Sequence, residues 1–332
     1  MNMNALITGA AGFIGSNFVG LYLQKYPDSK VVVLDKMTYA ANLENLSYVM
    51  DQIVFIKGCI GDKALVSKIL IEHEIDFVFN FAAESHVDNS IANPSLFIET
   101  NVVATFNLLQ SCLNYYKNLK DKSKFRFLHI STDEVYGNLE LNDGKIFTEK
   151  TPYAPNSPYS ASKAASDHIV RSFVHTYSLP CITTNCSNNY GIKQHIEKLI
   201  PKTIMSCINQ EKITIYGNGN AVRDWIWVDD HCNGILIAME KGNIGETYCF
   251  GGDCEKDVRT VVSQICKTMN EIRPLSNNAK YENLIINIQD RLGHDLRYAV
   301  SSEKSKRELG FKHSISFEDG ILKLIKSTLK IN

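Results

Sequence analysis

Residues 4–8 form a short apolar stretch, Gly9-Ala10-Ala11-Gly12-Phe13-Ile14-Gly15 follows at once, and residues 13–26 carry apolar side chains on one helical face. A strand, a glycine-rich turn and a helix in that order restrict the chain more than any other feature. Such a turn lets backbone N–H groups approach a pyrophosphate at a helix N-terminus. The spacing is GxxGxxG rather than the commoner GxGxxG, and glycine turns also serve plain tight packing. The next apolar run, 30–34, ends in Asp35. That is about 20 residues beyond the last glycine, where an acid meets a ribose 2′-hydroxyl. An acid there repels a 2′-phosphate and favours NAD over NADP, although Lys36 beside it argues the other way.

Strand-like and helix-like runs then alternate. Strands are expected at 53–57, 76–81, 125–130 and 180–185, and helices at 61–72, 93–116 and 158–177. This predicts an α/β fold, a doubly wound parallel sheet of Rossmann type with right-handed crossovers. Asp62 is placed either to approach an adenine or to cap its helix. Ala82 and Ala83 leave room for a cofactor at a strand end. Residues 139–156 are polar, with prolines close by, and read as a surface loop over the site. After 186 the alternation weakens: helices are expected at 198–209, 231–240, 257–270, 301–309 and 316–328, with a strand at 213–216. The expected division is 1–185 for the cofactor, with returning segments near 222–250, and 186–332 mainly for a smaller α/β substrate domain.

The chemistry concentrates at Ser131-Thr132-Asp133-Glu134-Val135-Tyr136-Gly137 and at Tyr159-Ser160-Ala161-Ser162-Lys163. Two adjacent carboxylates at the end of a buried strand are costly without work or partners. Ser157-Pro158 supplies an N-cap and a first-turn proline for the second segment. The spacing of four puts Tyr159 and Lys163 on one helix face. An ammonium beside a phenol is expected to lower its pKa, suiting it to take a proton from an alcohol.

Of 332 residues, 44% are apolar and 21% charged, as in globular enzymes, and the net charge of −1 gives no general attraction to nucleic acid or anionic membrane. The nine cysteines are odd in number without a CxxC pair, which suggests buried reduced thiols in a cytoplasmic protein. Dispersed histidines without HxxxH spacing leave no metal site in view. Neither a signal peptide nor an apolar run near the ~18 residues of a membrane span is expected.

These segments together resemble the extended short-chain dehydrogenase/reductase family over nearly the whole chain. Within it they resemble the nucleotide-sugar 4,6-dehydratases, above all those acting on dTDP-glucose. The specific marks are Thr132-Asp133-Glu134, Ala83-Glu84-Ser85-His86-Val87-Asp88, Thr184-Asn185-Cys186-Ser187-Asn188-Asn189-Tyr190-Gly191, Glu197-Lys198-Leu199-Ile200-Pro201, Arg223-Asp224-Trp225 and Gly293-His294-Asp295. The resemblance implies Thr132, Asp133, Glu134, Tyr159 and Lys163 as the catalytic set. It implies NAD contacts from Gly9, Gly12, Phe13, Ile14, Gly15, Asp35, Lys36, Asp62, Ala82, Ala83, Ser85, Thr100, Ser131, Tyr159, Lys163 and Asn189. For a nucleotide-sugar substrate it implies Ser85, His86, Thr132, Asn188, Lys198, Leu199, Tyr216, Arg223, Arg291 and His294. It further implies a homodimer built on helices near 93–117 and 158–177. Asn89, 192–196, Cys254 and Leu292 depart from the dTDP-glucose pattern, and Asn89 is similar to UDP-glucose dehydratases. UDP-glucose therefore stands as the second substrate. A 4-epimerase or reductase needs Tyr159 and Lys163 but not the acid pair, and a non-catalytic NAD-binding scaffold needs neither.

Overall fold

The computed structural model describes residues 3–276, 278–290 and 295–331. The first half runs β1 (Ala5–Thr8), α1 (Phe13–Lys25), β2 (Val31–Asp35), β3 (Ile53–Lys57), α2 (Lys63–Glu72), β4 (Phe77–Asn80), α3 (Val87–Ala92), α4 (Pro94–Phe97), α5 (Thr105–Asn118), β5 (Arg126–Thr132), α6 (Pro158–Tyr177) and β6 (Cys181–Cys186). The second half runs β7 (Asn188–Tyr190), α7 (Leu199–Asn209), β8 (Ile213–Tyr216), β9 (Val222–Trp227), α8 (Val228–Lys241), β10 (Thr247–Phe250), β11 (Glu255–Asp257), α9 (Val258–Ile272), β12 (Ile285–Ile288) and α10 (Phe317–Leu329).

β1, β2 and β4 are buried along their whole length, which is why ALIT, VVVLD and FVFN read as unbroken apolar runs instead of alternating ones. They lie in a seven-stranded parallel sheet ordered β10-β6-β5-β4-β1-β2-β3. β1 is flanked by β2 on one side and β4 on the other, so the winding reverses there. Ligands of such sheets bind beyond the strand ends at that reversal. On one face, α1 and α8 cover a core containing Phe18, Tyr22, Phe79 and Phe250. On the other, α2, α5 and α6 cover Val66, Leu108, Phe127 and Phe173. Phe79 is fully buried, 4.6 Å from the Phe18 ring and 5.5 Å from that of Tyr22. Its truncation to alanine would cost ~3–5 kcal/mol.

A smaller region carries the sheet β11-β9-β7, the pair β12-β8 and a third core around Tyr190, Trp225, Trp227 and Phe317. Its strands are interleaved with the large sheet: β9 belongs to the small sheet, whereas α8 and β10 return to the large one.

Four expectations change. The helix expected from 231 begins at Val228, because Asp229 and Asp230 sit in its first turn, where carboxylates favour a helix N-terminus. Residues 139–156 are not a free surface loop. Leu139 N–H donates to Arg297 O at 3.0 Å and Phe147 N–H to Ala299 O at 2.9 Å, and both side chains are buried. The helix expected at 301–309 begins two residues later, at 303, and closes in a wide π-helical turn at Ser305–Leu309. Finally, the helix expected at 93–116 is present as Pro94–Asn118, with α4 and α5 joined through a π-helical stretch, Ile98–Ala104, and it is more apolar than expected. That helix is long and apolar enough, by length and composition alone, to cross a membrane. Half of its most apolar window is buried in the fold against α2 and α6, as in a core helix.

Candidate active site

The cradle at the reversal point is formed by the turn after β1. Gly9 has φ +66°, and a Cβ there would stand 2.7 Å from the Ala82 backbone, so the turn and the β4 end are in contact only because Gly9 has no side chain. No side chain caps α1 at Gly12, which leaves the N-terminal N–H groups around Phe13, Ile14 and Gly15 to an anion. Asp35 ends β2 inside the same cradle. Its Oδ2 accepts from Ala11 N–H at 2.9 Å and its Oδ1 from Met37 N–H at 2.8 Å, so the carboxylate fixes the glycine turn. Each oxygen keeps a second lone pair for a ribose hydroxyl. Lys36 is exposed, and its charge works on Glu84, lowering that buried carboxyl against the rise from burial. Asp62 caps α2 through Leu65 N–H at 3.0 Å. Ala82, Ala83 and Thr100 are half-buried, and Ser85 is exposed. The uncapped helix and an unencumbered β4 end fit a dinucleotide.

At the end of β5 the chain enters a short 3₁₀ turn, Asp133–Tyr136, which presents both carboxyls at one place. Thr132 Oγ1 accepts from Glu134 N–H at 3.3 Å and lies 3.4 Å from Asp133 Oδ1. Asp133 is buried and its Oδ2 has no hydrogen-bond partner. Burial, reinforced by Glu134 and Asp224, holds its carboxyl well above the ordinary range, against the pull of Arg223. Burial also pushes Glu134 up, to about 6, but Arg223 and Lys198 oppose it. Both carboxyls are thus raised, Asp133 well above its ordinary range and Glu134 to about 6, which suits the first to give a proton and the second to take one.

Ser157 and Ser160 close a capping box on α6, with Pro158 in its first turn, and this sets Tyr159 and Lys163 facing β5. The fall in Tyr159 pKa expected from Lys163 is not what the structure shows. Burial, then the charge of Glu134, raises the phenol well above its usual value, against a hydrogen bond with Thr132. Lys163 is itself buried and donates to Ile130 O at 2.7 Å, and burial lowers its pKa.

Two expected cofactor contacts are engaged elsewhere. Ser131 Oγ donates to Asp167 Oδ2 at 2.7 Å. The Asn189 amide bonds to Ser187 O at 3.0 Å and Cys186 Sγ at 3.4 Å, while its Oδ1 pairs with His231 Nδ1 at 2.9 Å. Both side chains thus already have protein partners. Among the residues expected to bind substrate, Arg223 donates to Val222 O and Asp295 O at 2.7 and 3.0 Å and lies 4.4 Å over the Tyr298 ring. Asn188 keeps a buried, unpartnered Oδ1. Lys198 Nζ is 3.9 Å from Glu197, and His86 caps α3 and approaches Glu197 at 3.8 Å. Leu199 and Tyr216 are half-buried, on the first turn of α7 and the end of β8. Arg291 and His294, like Leu292, lie outside the described residues.

The divergent segment 192–196 lies against α1. Ile192 O accepts from Asn17 at 3.0 Å, and Lys193 Nζ sits 4.0 Å from the Tyr48 ring centroid. His195 meets Tyr39 edge-on, and Tyr39 hydrogen-bonds Asn89, so two departures from the pattern share one clasp between the regions. Sequence reasoning missed Asp224, which accepts from Gly252 and Cys254 N–H at 2.8 Å and adds its charge beneath Asp133. It also missed His129 and Asp167 behind Lys163. A spacing of four from Lys163 to Asp167 was the available signal.

Against known proteins, residues 6–324 match the family described as GDP-mannose 4,6 dehydratase. The dTDP-glucose 4,6-dehydratase of Xanthomonas campestris pv. campestris (strain B100) is 52% identical over 320 residues, covering 95% of this chain and 90% of the relative. DesIV, the dTDP-glucose 4,6-dehydratase of Streptomyces venezuelae solved with NAD and TYD bound, superposes with a TM-score of 0.89 at 40% identity, covering 99% and 97% of the two chains. UDP-glucose 4-epimerase of Thermotoga maritima shares the fold at TM-score 0.86 and 27% identity, with 99% of each chain covered. The chain belongs to the nucleotide-sugar 4,6-dehydratase family of extended short-chain dehydrogenases/reductases. Within that family it is an NAD-dependent lyase of the dTDP-glucose 4,6-dehydratase type.

Proposed function

We propose that this chain converts dTDP-glucose to dTDP-4-keto-6-deoxyglucose with the following division of labour. Tyr159 takes the proton of the sugar 4-hydroxyl, and Thr132 hydrogen-bonds the 4-oxygen. Lys163 supplies positive charge on the cofactor side of Tyr159. When bound in the Gly9–Gly15 cradle, NAD supplies a hydride acceptor for carbon 4 and a hydride donor for carbon 6. The 4-ketone acidifies the proton on carbon 5, which Glu134 removes, while Asp133 protonates the departing 6-hydroxyl. Glu134 then returns its proton to carbon 5. Arg223 and Lys198, which both act on the acid pair, place cations where a diphosphate needs them. Residues 1–185, with α8 and β10, form the NAD region, and the small sheets carry the nucleotide sugar.

The observation that carries the reading is the adjacent pair Asp133 and Glu134, the first raised well above the ordinary carboxyl range by burial and the second kept near 6, next to Tyr159. A 4-epimerase has no use for that split. Incubation with dTDP-, UDP-, GDP- and CDP-glucose followed by mass spectrometry tests it: loss of water with dTDP-glucose as the best substrate is expected. Better catalytic efficiency with UDP-glucose would move the assignment to that base, and isomerisation without loss of water would remove the dehydratase reading. Ile98, Val103 and Phe106 are exposed on one long helix near the exposed Tyr177 of α6, which supports the homodimer. Nine unpaired cysteines, most of them buried, support a reducing, cytoplasmic setting.

A further inference from the structure

Behind Lys163 lies a buried polar group that the reaction as written does not use. One turn further along α6, Asp167 is 4% exposed and its Oδ2 accepts from Ser131 Oγ at 2.7 Å and Tyr153 OH at 2.9 Å. Its Oδ1 accepts no ordinary hydrogen bond but stands 3.3 Å from His129 Nε2. His129, wholly buried on β5, is 3.5 Å from Lys163 Nζ. Asn80 fixes the imidazole: its Oδ1 accepts from Thr8 Oγ1 at 2.8 Å, so its Nδ2 faces His129 Nδ1 at 3.2 Å. His129 therefore carries its proton on Nε2, which donates to Ser166 Oγ at 3.1 Å with Asp167 Oδ1 beside it, and burial keeps the ring neutral, with its pKa lowered to about 4. A neutral imidazole cannot balance either charge, so Asp167 and Lys163 face one another across it.

We propose that Asp167 is the buried counter-ion of Lys163, a positioning residue that keeps the ammonium charged and directed at the cofactor side of Tyr159. This rests on the function proposed above. The groups facing Lys163 are His129 from β5, Cys186 from β6, and Tyr159 and Asp167 from α6 itself. Burial lowers the Lys163 pKa, and among these neighbours Asp167 opposes the fall most strongly. Tyr136 and Tyr153 also face Asp167, both as neutral phenols. A cavity of about 270 Å³ reaches Asp167, lined also by Glu149, Tyr153, His168, Arg171 and Glu246. Small anions thus have a path to position 167, past the exposed His168 and Arg171.

Asp167→Asn keeps an acceptor for Ser131 and Tyr153 and removes the charge. An opposite charge at this range holds a pKa up by ~1–3 pH units, so the variant loses the Lys163 proton at lower pH. The alkaline limb of kcat/KM for dTDP-glucose should therefore move down by at least ~1 pH unit. The alkaline fall in NAD affinity, measured by titration without sugar, should move with it. Asp167→Ala opens room beside the cavity, and formate, but not formamide of equal size, should move both limbs back towards the parent. Unchanged limbs in Asp167→Asn, or equal rescue by formate and formamide, overturn the proposal, since a purely structural Asp167 predicts those results. A parent chain that dehydrates no nucleotide sugar would instead defeat the function, and the NAD titrations would still decide the role of Asp167.

Discussion

Replacing Glu134 by glutamine isolates one step of the reaction. The substitution keeps the size of the side chain, and the 3₁₀ turn is held by a backbone contact, Glu134 N–H to Thr132 Oγ1, that it does not alter. What disappears is the ability to accept the carbon 5 proton. A positioned general base contributes ~10²–10⁴-fold, which at about 1.4 kcal/mol per factor of ten is ~3–5 kcal/mol of barrier. The parent should also show a pH signature. With the Glu134 carboxyl raised to about 6, the base is about nine-tenths ionised near pH 7 and about one-tenth near pH 5. Because the pKa is raised, the active form is present above 6 and is lost as pH falls through it. Elimination in the parent should therefore fall about tenfold between about pH 7 and pH 5, and the variant should lack this step. Stopped-flow absorbance reads both effects: the reduced cofactor should accumulate in the variant after mixing with substrate, because carbon 4 oxidation still proceeds. Exchange of solvent deuterium into carbon 5, followed by NMR, should stop. A variant that dehydrates at the parent rate, or retains the pH step, would show that Glu134 is not the base.

Three further outcomes are expected. Tyr159→Phe should block carbon 4 oxidation, so that no reduced cofactor builds up in the same stopped-flow experiment. Asp35→Ala should narrow the preference for NAD over NADP in binding titrations, and should also lower the melting temperature, because the carboxylate holds Ala11 and Met37 N–H groups. Glu255→Gln should destabilise the fold by ~1–3 kcal/mol in urea unfolding, since the buried Arg297 guanidinium bonds it twice, at 2.6 and 2.9 Å. That value sits below a fully buried pair because Glu255 is about a third exposed, at 36%.

How legible the fold was depended on how the strands are buried. β1, β2 and β4 are covered on both faces, so each leaves an apolar run, and the glycine turn and Asp35 stand at the ends of such runs. In the small sheets β8 was legible at 213–216, but β7 and β11 leave no such trace. β7 is Asn188–Tyr190 and β11 is Glu255–Asp257, three residues each and mostly polar, and they owe their order to pairing with β9. Residues 139–156 looked like a free loop because polar side chains dominate it. Its order comes from pairing with a segment about 150 residues later, which no local pattern records.

The site shows the same limit at the scale of single side chains. Residue type and spacing located Asp133, Glu134, Tyr159 and Lys163, because each sits on an element whose geometry follows from local rules: a strand end, a capped helix, a separation of one turn. They did not show which polar atoms remain free. Ser131 and Asn189 have suitable groups beside the cofactor cradle, yet Asp167, Ser187 and His231 engage them first. The sign of the Tyr159 shift failed for a related reason. An ammonium one turn away lowers a phenol only if its charge outweighs desolvation, and here Tyr159 is buried, with Glu134 opposing it and Lys163 bonded to Ile130 O. Proximity along a helix is set by four residues of sequence. The balance between burial and charge is set by β5, β6 and the small region closing together, and hence by contacts spanning almost the whole chain.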